Sequence, residues 1–196
     1  MSGNDSSTGG YLVPATTPAP IEGNDLTTFL HNLFQGLCGY AGSAIVPRWQ
    51  PVPVNRPAIT ADWLAIGVQN RVADTYAIEL YNATANSESV FRSERFEVLA
   101  SFYGPNAEAY AELAREGLAL GQNREYIEAH DVSFIDCGDT ISVPSLENGQ
   151  WYFRVDMPVR FRRLIQRIYP ILNILSADIT LTTDVPHIVD TKTVTQ

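Results

Sequence analysis

The stretch that most constrains this chain runs from Phe91 to Gly121, FRSERFEVLASFYGPNAEAYAELAREGLALG. Its first half alternates, with Phe96, Val98, Ala100 and Phe102 on one face and Glu97, Leu99, Ser101 and Tyr103 on the other. That is the two-residue period of a strand. At Gly104-Pro105 the period changes, and Tyr110, Leu113, Ala114, Gly117 and Leu118 follow the spacing of a helix with one buried stripe. The expected helix begins at Pro105, whose missing N–H costs nothing at a first helical position, and stops at a left-handed Gly121. A strand that turns tightly into an amphipathic helix is half of an α/β layer, and the remaining chain must cover it.

The segments on either side supply that cover. Asp25 is placed to cap a helix reaching about Leu37, with Leu26, Phe29, Leu30, Leu33, Phe34 and Leu37 on one stripe. The G-x-x-G-x-x-G of Gly36, Gly39 and Gly42 follows this helix instead of a strand and has no Lys nearby, so it reads as a helix stop and turn, not a phosphate loop. Ile45 to Pro57 holds four prolines and must run extended, with Trp49 as a packing anchor and Arg48 or Arg56 available to a partner. Asp62–Asn70 and Thr75–Asn82 both alternate and are expected to pair as a hairpin through Arg71–Asp74, with a polar loop to Ser89 leading into the opening strand.

Downstream, Gln122–His130 reads as a short second helix and Val132–Val143 as a broken strand bulged at Gly138. Asn148-Gly149 is a two-residue hairpin signal. Beyond it Trp151, Phe153, Val155, Met157, Val159 and Phe161 share one face, opposed by Tyr152, Arg154, Asp156, Pro158, Arg160 and Arg162. Pro158 places this strand at a sheet edge or bulge. An apolar stretch, Arg163–Ser176, is interrupted at Pro170, and Ala177–Asp184 gives a last strand. The fold class expected is α/β of the α+β kind, a mostly antiparallel or mixed sheet covered by two main helices. A Gly, Ser, Thr and Pro-rich arm (1–23) precedes a single domain (24–184), and a polar extension (185–196) follows it.

Charge narrows the function. The formal net charge is −9 with a pI near 4.7, which argues against a sequence-reading nucleic-acid binder. Residues 1–150 carry seven Arg against eighteen Asp and Glu, net −11; residues 151–196 carry six cations against four anions, net +2. Of thirteen cations twelve are Arg, a bias that suits bidentate protein contacts and equally follows from genome composition. An acidic body with a basic terminal section fits a ring in which one face meets the next, and fits equally a monomer with internal ion pairs. The candidate interface residues are Arg154, Arg160, Arg162, Arg163 and Arg167, with Arg48 and Trp49 as secondary ones. No secretory leader and no membrane-length apolar run are read, and Cys38 and Cys137 lack metal-site spacing, as free thiols of a reducing compartment would.

Chemistry is sparse. His31, His130 and His187 sit in unrelated contexts, and Glu125, Glu128 and His130 do not share one helical face. Asp136-Cys137-Gly138-Asp139 matches no nucleophile elbow, and Glu94 and Glu97 fall on opposite faces of their strand. No catalytic, cofactor or metal site is expected.

Five segments carry a family resemblance: PRWQP (Pro47–Pro51), ADW (Ala61–Trp63), SFYGPNAEAY (Ser101–Tyr110), QNRE (Gln122–Glu125) and RIYPILNILSADI (Arg167–Ile179). In this order and spacing the chain resembles the neck terminator proteins of tailed bacteriophages, a tail-terminator-like family of contractile-tailed phages, from about Leu26 to Asp184. The segments are structural aromatics, prolines and glycines, so their joint order is the signal. The resemblance implies a small α+β subunit, assembled in the host cytoplasm as a hexameric ring in the virion neck. Such a ring caps the tail tube and sheath and joins the tail to the head-side connector, with DNA passing through its lumen. It implies no cofactor and no membrane. Two other readings remain beside it, a head-completion or tail-tube-type virion protein and a small soluble α/β enzyme with an unrecognised site.

Overall fold

In the computed structural model, which describes residues 11–15, 21–49, 57–147, 149–171, 176–182 and 189–195, an α+β architecture is built on one mixed sheet. The elements in chain order are α1 (Gly23–Cys38), β1 (Ile45–Pro47), β2 (Trp63–Ala73), β3 (Ile78–Asn82), β4 (Ser87–Tyr103), α2 (Ala107–Ala119), α3 (Gly121–Glu128), β5 (Val132–Cys137), β6 (Ile141–Ser142), β7 (Ser145–Glu147), β8 (Gln150–Tyr152), β9 (Arg154–Pro170), β10 (Ser176–Thr182) and β11 (Val189–Thr195). Most of the expected N-terminal arm, the prolines between Trp49 and Pro57 with Arg56, Asn148, and part of the expected C-terminal extension lie outside the described residues.

The chain divides into two compact units, one of Pro18–Ile78 with Phe91–Gln166 and one of Met1–Thr17, Glu79–Val90 and Arg167–Gln196. The first holds the core. Its strands run in the order β1-β2-β4-β9-β5, with β6 also on β9. β1 is parallel to β2, whereas β2 is antiparallel to β4 and β5 to β9. The side-chain pairs Glu94–Arg163, Glu97–Arg160 and Ser101–Asp156 show β4 and β9 running antiparallel as well, since one number rises as the other falls. The alternation read in the sequence sets the buried face: Phe96, Val98, Ala100 and Phe102 of β4, Leu64 and Ile66 of β2, and Val155, Met157, Val159 and Phe161 of β9 are all buried together. α1 adds Leu26, Phe29, Leu30, Leu33 and Phe34, and α2 adds Ala107, Ala111, Ala114 and Leu118.

Several boundaries differ from expectation, each for a local reason. α1 opens at Gly23 because the Asp25 and Leu26 amides close on the Glu22 carbonyl at 3.1 and 3.5 Å. Asp25 therefore sits in the first turn, where its charge faces the positive end of the helix. Gly39, left-handed at φ 69°, ends α1 as expected. α2 starts at Ala107, past Pro105, and its buried stripe consists of alanines and Leu118, while Leu113 is exposed. Small side chains allow close approach to α1: a Cβ on Gly117 would stand 2.8 Å from Leu37 Cδ2. α2 leaves through an extended Leu120, and Gly121 begins α3 instead of capping α2. No glycine stop is needed, because Asn123 Nδ2 and Arg124 Nε donate to the carbonyls of Gly117 and Leu118 at 2.8 and 3.3 Å.

The expected β2–β3 hairpin does not form. Arg71–Ala73 stay in β2, with Val72 opposite Arg95 and Ala73 opposite Glu94, and the Asp74 amide continues to the Ser93 carbonyl at 2.9 Å. β9 is an inner strand, not an edge, despite Pro158. β6 pairs with Val155 and Asp156, β5 with Val159 onward, and Pro158 stands at the changeover, its carbonyl accepting the Gly138 amide at 2.8 Å. The missing N–H thus falls where no ladder bond is due. The register shift in β5 lies between Phe134 and Asp136, ahead of Gly138. The β7–β8 pairing through Glu147 and Gln150 is the expected hairpin.

In the second unit the chain reverses after β3, which pairs with β4. Asn82 Oδ1 accepts the Ala85 amide at 3.1 Å and Asn86 takes a left-handed φ of 47°, the local bonding that makes Asn a turn residue. The Ala15 amide donates to the Ile168 carbonyl and the Ile171 amide to that of Asn86. β10 and β11 form an antiparallel pair from Ser176 opposite Thr195 to Thr182 opposite Val189, so the segment expected as a polar extension carries a strand.

Candidate functional site

The face of the sheet turned away from the helices carries the chain's distinctive charge pattern. It combines Glu97, Ser101 and Tyr103 of β4 with Arg154, Asp156, Arg160 and Arg162 of β9. Arg154 grips Asp156 two residues on through two parallel bonds, Nε to Oδ1 at 2.7 Å and Nη2 to Oδ2 at 2.6 Å. That pairing holds the Arg154 guanidinium above its ordinary range. Its planar head also lies over Tyr103, 5.7 Å from the ring centre, and Tyr103 stacks flat on Trp63 with 3.9 Å between centroids.

The segment after β1 folds onto this face. Trp49 takes a left-handed φ of 56°, and its ring crosses Gly67, where an added Cβ would come within 2.7 Å of the indole. Arg48 reaches past it to donate to Ser101 Oγ, which donates in turn to Asp156 Oδ1. Two arginines therefore converge on one carboxylate, and burial pushes the Arg48 guanidinium below its usual range. Its buried Nε has no hydrogen-bond partner. Tyr152 donates to the Pro57 carbonyl at 2.5 Å.

Further along the strands Arg160 bridges two carboxylates, Glu97 at 3.0 Å and Asp136 at 3.0 Å, and these bonds raise its pKa. With Val72, Arg95 and Ile135 they line a cavity of about 410 Å³. Arg162 donates to the Ser93 hydroxyl at 2.9 Å and, among the described residues, meets no carboxylate. Arg163 points the opposite way, into the core: its side chain is 2 % exposed and donates twice to Glu94 Oε1, at 2.9 and 2.7 Å, and once to the Ile21 carbonyl. Arg167 belongs to the second unit and has a partner of its own. The structure thus gathers Arg48, Trp49 and Arg154 into one cluster and leaves Arg160 and Arg162 exposed beside it, while Arg163 is interior.

Candidate chemical groups are dispersed. Among the described residues no three His, Cys, Asp or Glu side chains are placed to hold a metal ion. His130 Nδ1 lies 2.8 Å from the Tyr126 carbonyl with its ring against Phe29, a packing role; His187 lies outside the described residues. Cys38 and Cys137 are unbridged, and burial raises their thiols to about 12 and about 11. No helix of the described residues is long and apolar enough to cross a membrane.

Two features were not anticipated. Glu94–Arg163 is hidden in a strand alternation that assigns charge to the outer face; the signal was that Glu94 shares parity with Phe96, and Arg163 with Phe161. Trp151 and Phe153, expected inside with Val155, are exposed. β8 ends at Tyr152 and the Phe153 carbonyl accepts the Gly104 amide at 3.2 Å, so the inward alternation begins only at Val155. No curated protein matches the chain. A family model described as phage neck terminator protein matches residues 24–185.

Proposed function

The chain belongs to the phage neck terminator protein family, and we propose that it acts as a self-associating ring, a hexamer, at the top of a contractile tail. As a member of that family it is a structural protein of the phage neck, with a non-enzymatic role among tail and head proteins of the virion. In the proposed ring it closes the tail tube and sheath, meets the head-side connector, and lets DNA through its lumen. The observation that carries this reading is the family match over residues 24–185. The net charge of −9 supports it, since a conduit that held phosphates through cations would retard the DNA it passes.

Of the arginines expected at interfaces, Arg162 is exposed and meets no carboxylate among the described residues, and in the proposed ring it contacts a neighbouring virion protein. Arg160 assists at the same surface, whereas Arg163 serves the interior. The test is native mass spectrometry of the purified chain, alone and with its tail-tube protein, followed by electron microscopy of the particle. A closed oligomer that binds the tube, and density for the chain at the neck, are expected. A strict monomer at every concentration that ignores the tube would reject the reading.

A further inference from the structure

Like charges crowd together on two surfaces of the core-bearing unit, and the two surfaces are of opposite sign. The first is the outer side of α2. Glu108, Glu112 and Glu116 recur every fourth residue, so they share one helical face, and all three are exposed. Carboxylates at that spacing repel one another. Arg115 stands 3.5 Å from Glu112, yet its guanidinium is also committed to the Gly138 carbonyl at 3.0 Å. Glu108 and Glu116 form no ion pair among the described residues. Leu113, 45 % exposed, adjoins the stripe.

The second lies on the sheet face turned away from the helices. The Glu94–Arg163 and Glu97–Arg160 bonds set the register of β4 on β9, and in that register Arg95 stands opposite Arg162. Val72 of β2 lies opposite Arg95 and Ser133 of β5 opposite Arg162, so one row crosses four strands with two cations and no anion. Like charges directly opposite on neighbouring strands are destabilising. Both arginines are exposed, and neither has a carboxylate partner among the described residues. The adjacent row is balanced internally, since its Arg160 is held by both Glu97 and Asp136. Glu128 and Asp131 border the groove beyond Arg162 without pairing with it. Val72 and Leu164 beside the arginines are 50 % and 56 % exposed. α2 packs its alanines on one side of the sheet and the arginine row faces the other, so stripe and row cannot meet within one chain. Between copies each supplies the charge that relieves the other's repulsion. Such a contact joins different surfaces of the two copies, and repeated it is head-to-tail, the kind from which a ring closes.

We propose that the Glu108–Glu112–Glu116 stripe of one copy docks on the Arg95–Arg162 row of the next copy, with Leu113 meeting the apolar groups beside that row. This contact rests on the ring reading and names the subunit interface within it. The test compares the full chain with Glu108→Lys/Glu116→Lys, with Arg95→Glu/Arg162→Glu, and with all four changes together, by native mass spectrometry and sedimentation. Each double variant should weaken assembly about tenfold or more with an unchanged circular dichroism spectrum. The fourfold variant, in which the signs are exchanged, should recover it. A photo-crosslinking residue at position 113 should label residues 70–73, 93–97 or 160–164 of another copy. The two surfaces are altered separately, so one double variant decides the matter where the other folds poorly. Normal assembly of either folded double variant, or a folded fourfold variant that does not recover, overturns this contact and leaves the ring intact. Crosslinks to any other region, or to a different virion protein in assembled particles, do the same. A wild-type chain that never oligomerises overturns the ring reading and this contact with it.

Discussion

At the residue scale the most consequential side chain is Arg163. Its guanidinium is inside the protein, held by two bonds to one Glu94 oxygen and stacked over Phe96 at 5.5 Å. A buried ion pair is weak evidence of net stabilisation, because removing two charges from water consumes most of their attraction. Removing one partner is different, since it strands the other. Glu94→Ala is expected to destabilise by about 3 to 5 kcal/mol in urea unfolding. The double change Glu94→Leu with Arg163→Met should cost far less, and equal losses in the two variants would refute the account. Buried acids of the thiol and phenol type add a pH effect. Burial raises Cys38 to about 12, Cys137 to about 11, and Tyr40 above its ordinary range. Each is held protonated in the fold while the unfolded chain releases protons from about 9.0 for the thiols. Above that pH the unfolded state binds fewer protons than the native one, so stability must fall as pH rises. Thermal midpoints measured from pH 7 to 10.5 should be level at first and decline beyond about 9. A rising midpoint would contradict the burial of these groups.

At the element scale the strand-to-helix turn is the joint on which the first unit depends. Gly104 has φ 108°, and an added Cβ would lie 2.5 Å from Asp62 Oδ1 and 2.6 Å from the Ala61 carbonyl. Asp62, at the head of β2, accepts the Asn106 amide at 2.9 Å and the Asn106 side-chain nitrogen at 2.8 Å, so a neighbouring strand caps α2. Asp62→Ala should cost about 1 to 2 kcal/mol, in the manner of a lost N-cap. Gly104→Ala should cost more, since it combines strain at positive φ with a clash against that carboxylate. A milder Gly104→Ala in chemical unfolding would show that the turn relaxes freely. The alternation of β4 and β9 and the stripe of α1 were legible because one periodicity ran unbroken over many residues. The start of α2 was not, because its cap comes from a residue 44 positions away. The partner of β3 was equally hidden: two alternating segments flanking a polar link look like a hairpin, and only the length of β2 shows that the reversal belongs to Asn82–Asn86. Pro158 misled for a similar reason, since its exemption from bonding comes from the β5/β6 changeover, which is set elsewhere in the chain.

At the scale of the whole molecule, charge sign was legible and charge placement was not. The sequence separates an acidic body from a basic end, yet the fold brings Arg160 to Glu97 and Asp136 and Arg163 to Glu94, so part of that separation is spent inside the chain. What remains is an acidic net charge, and this yields a prediction independent of any interface. Non-specific affinity for duplex DNA grows with the number of phosphates neutralised by Lys and Arg. A chain at −9 should leave duplex DNA unshifted in gels at about 50 mM salt and up to about 10 µM protein. Replacing Glu97 and Asp136 with Gln and Asn frees Arg160 beside Arg95, which has no carboxylate partner among the described residues, and retardation should then appear and vanish again as salt is raised. Tight salt-sensitive binding by the unaltered chain would mean that its cations are offered to DNA after all, and a freely passing lumen would have to be abandoned.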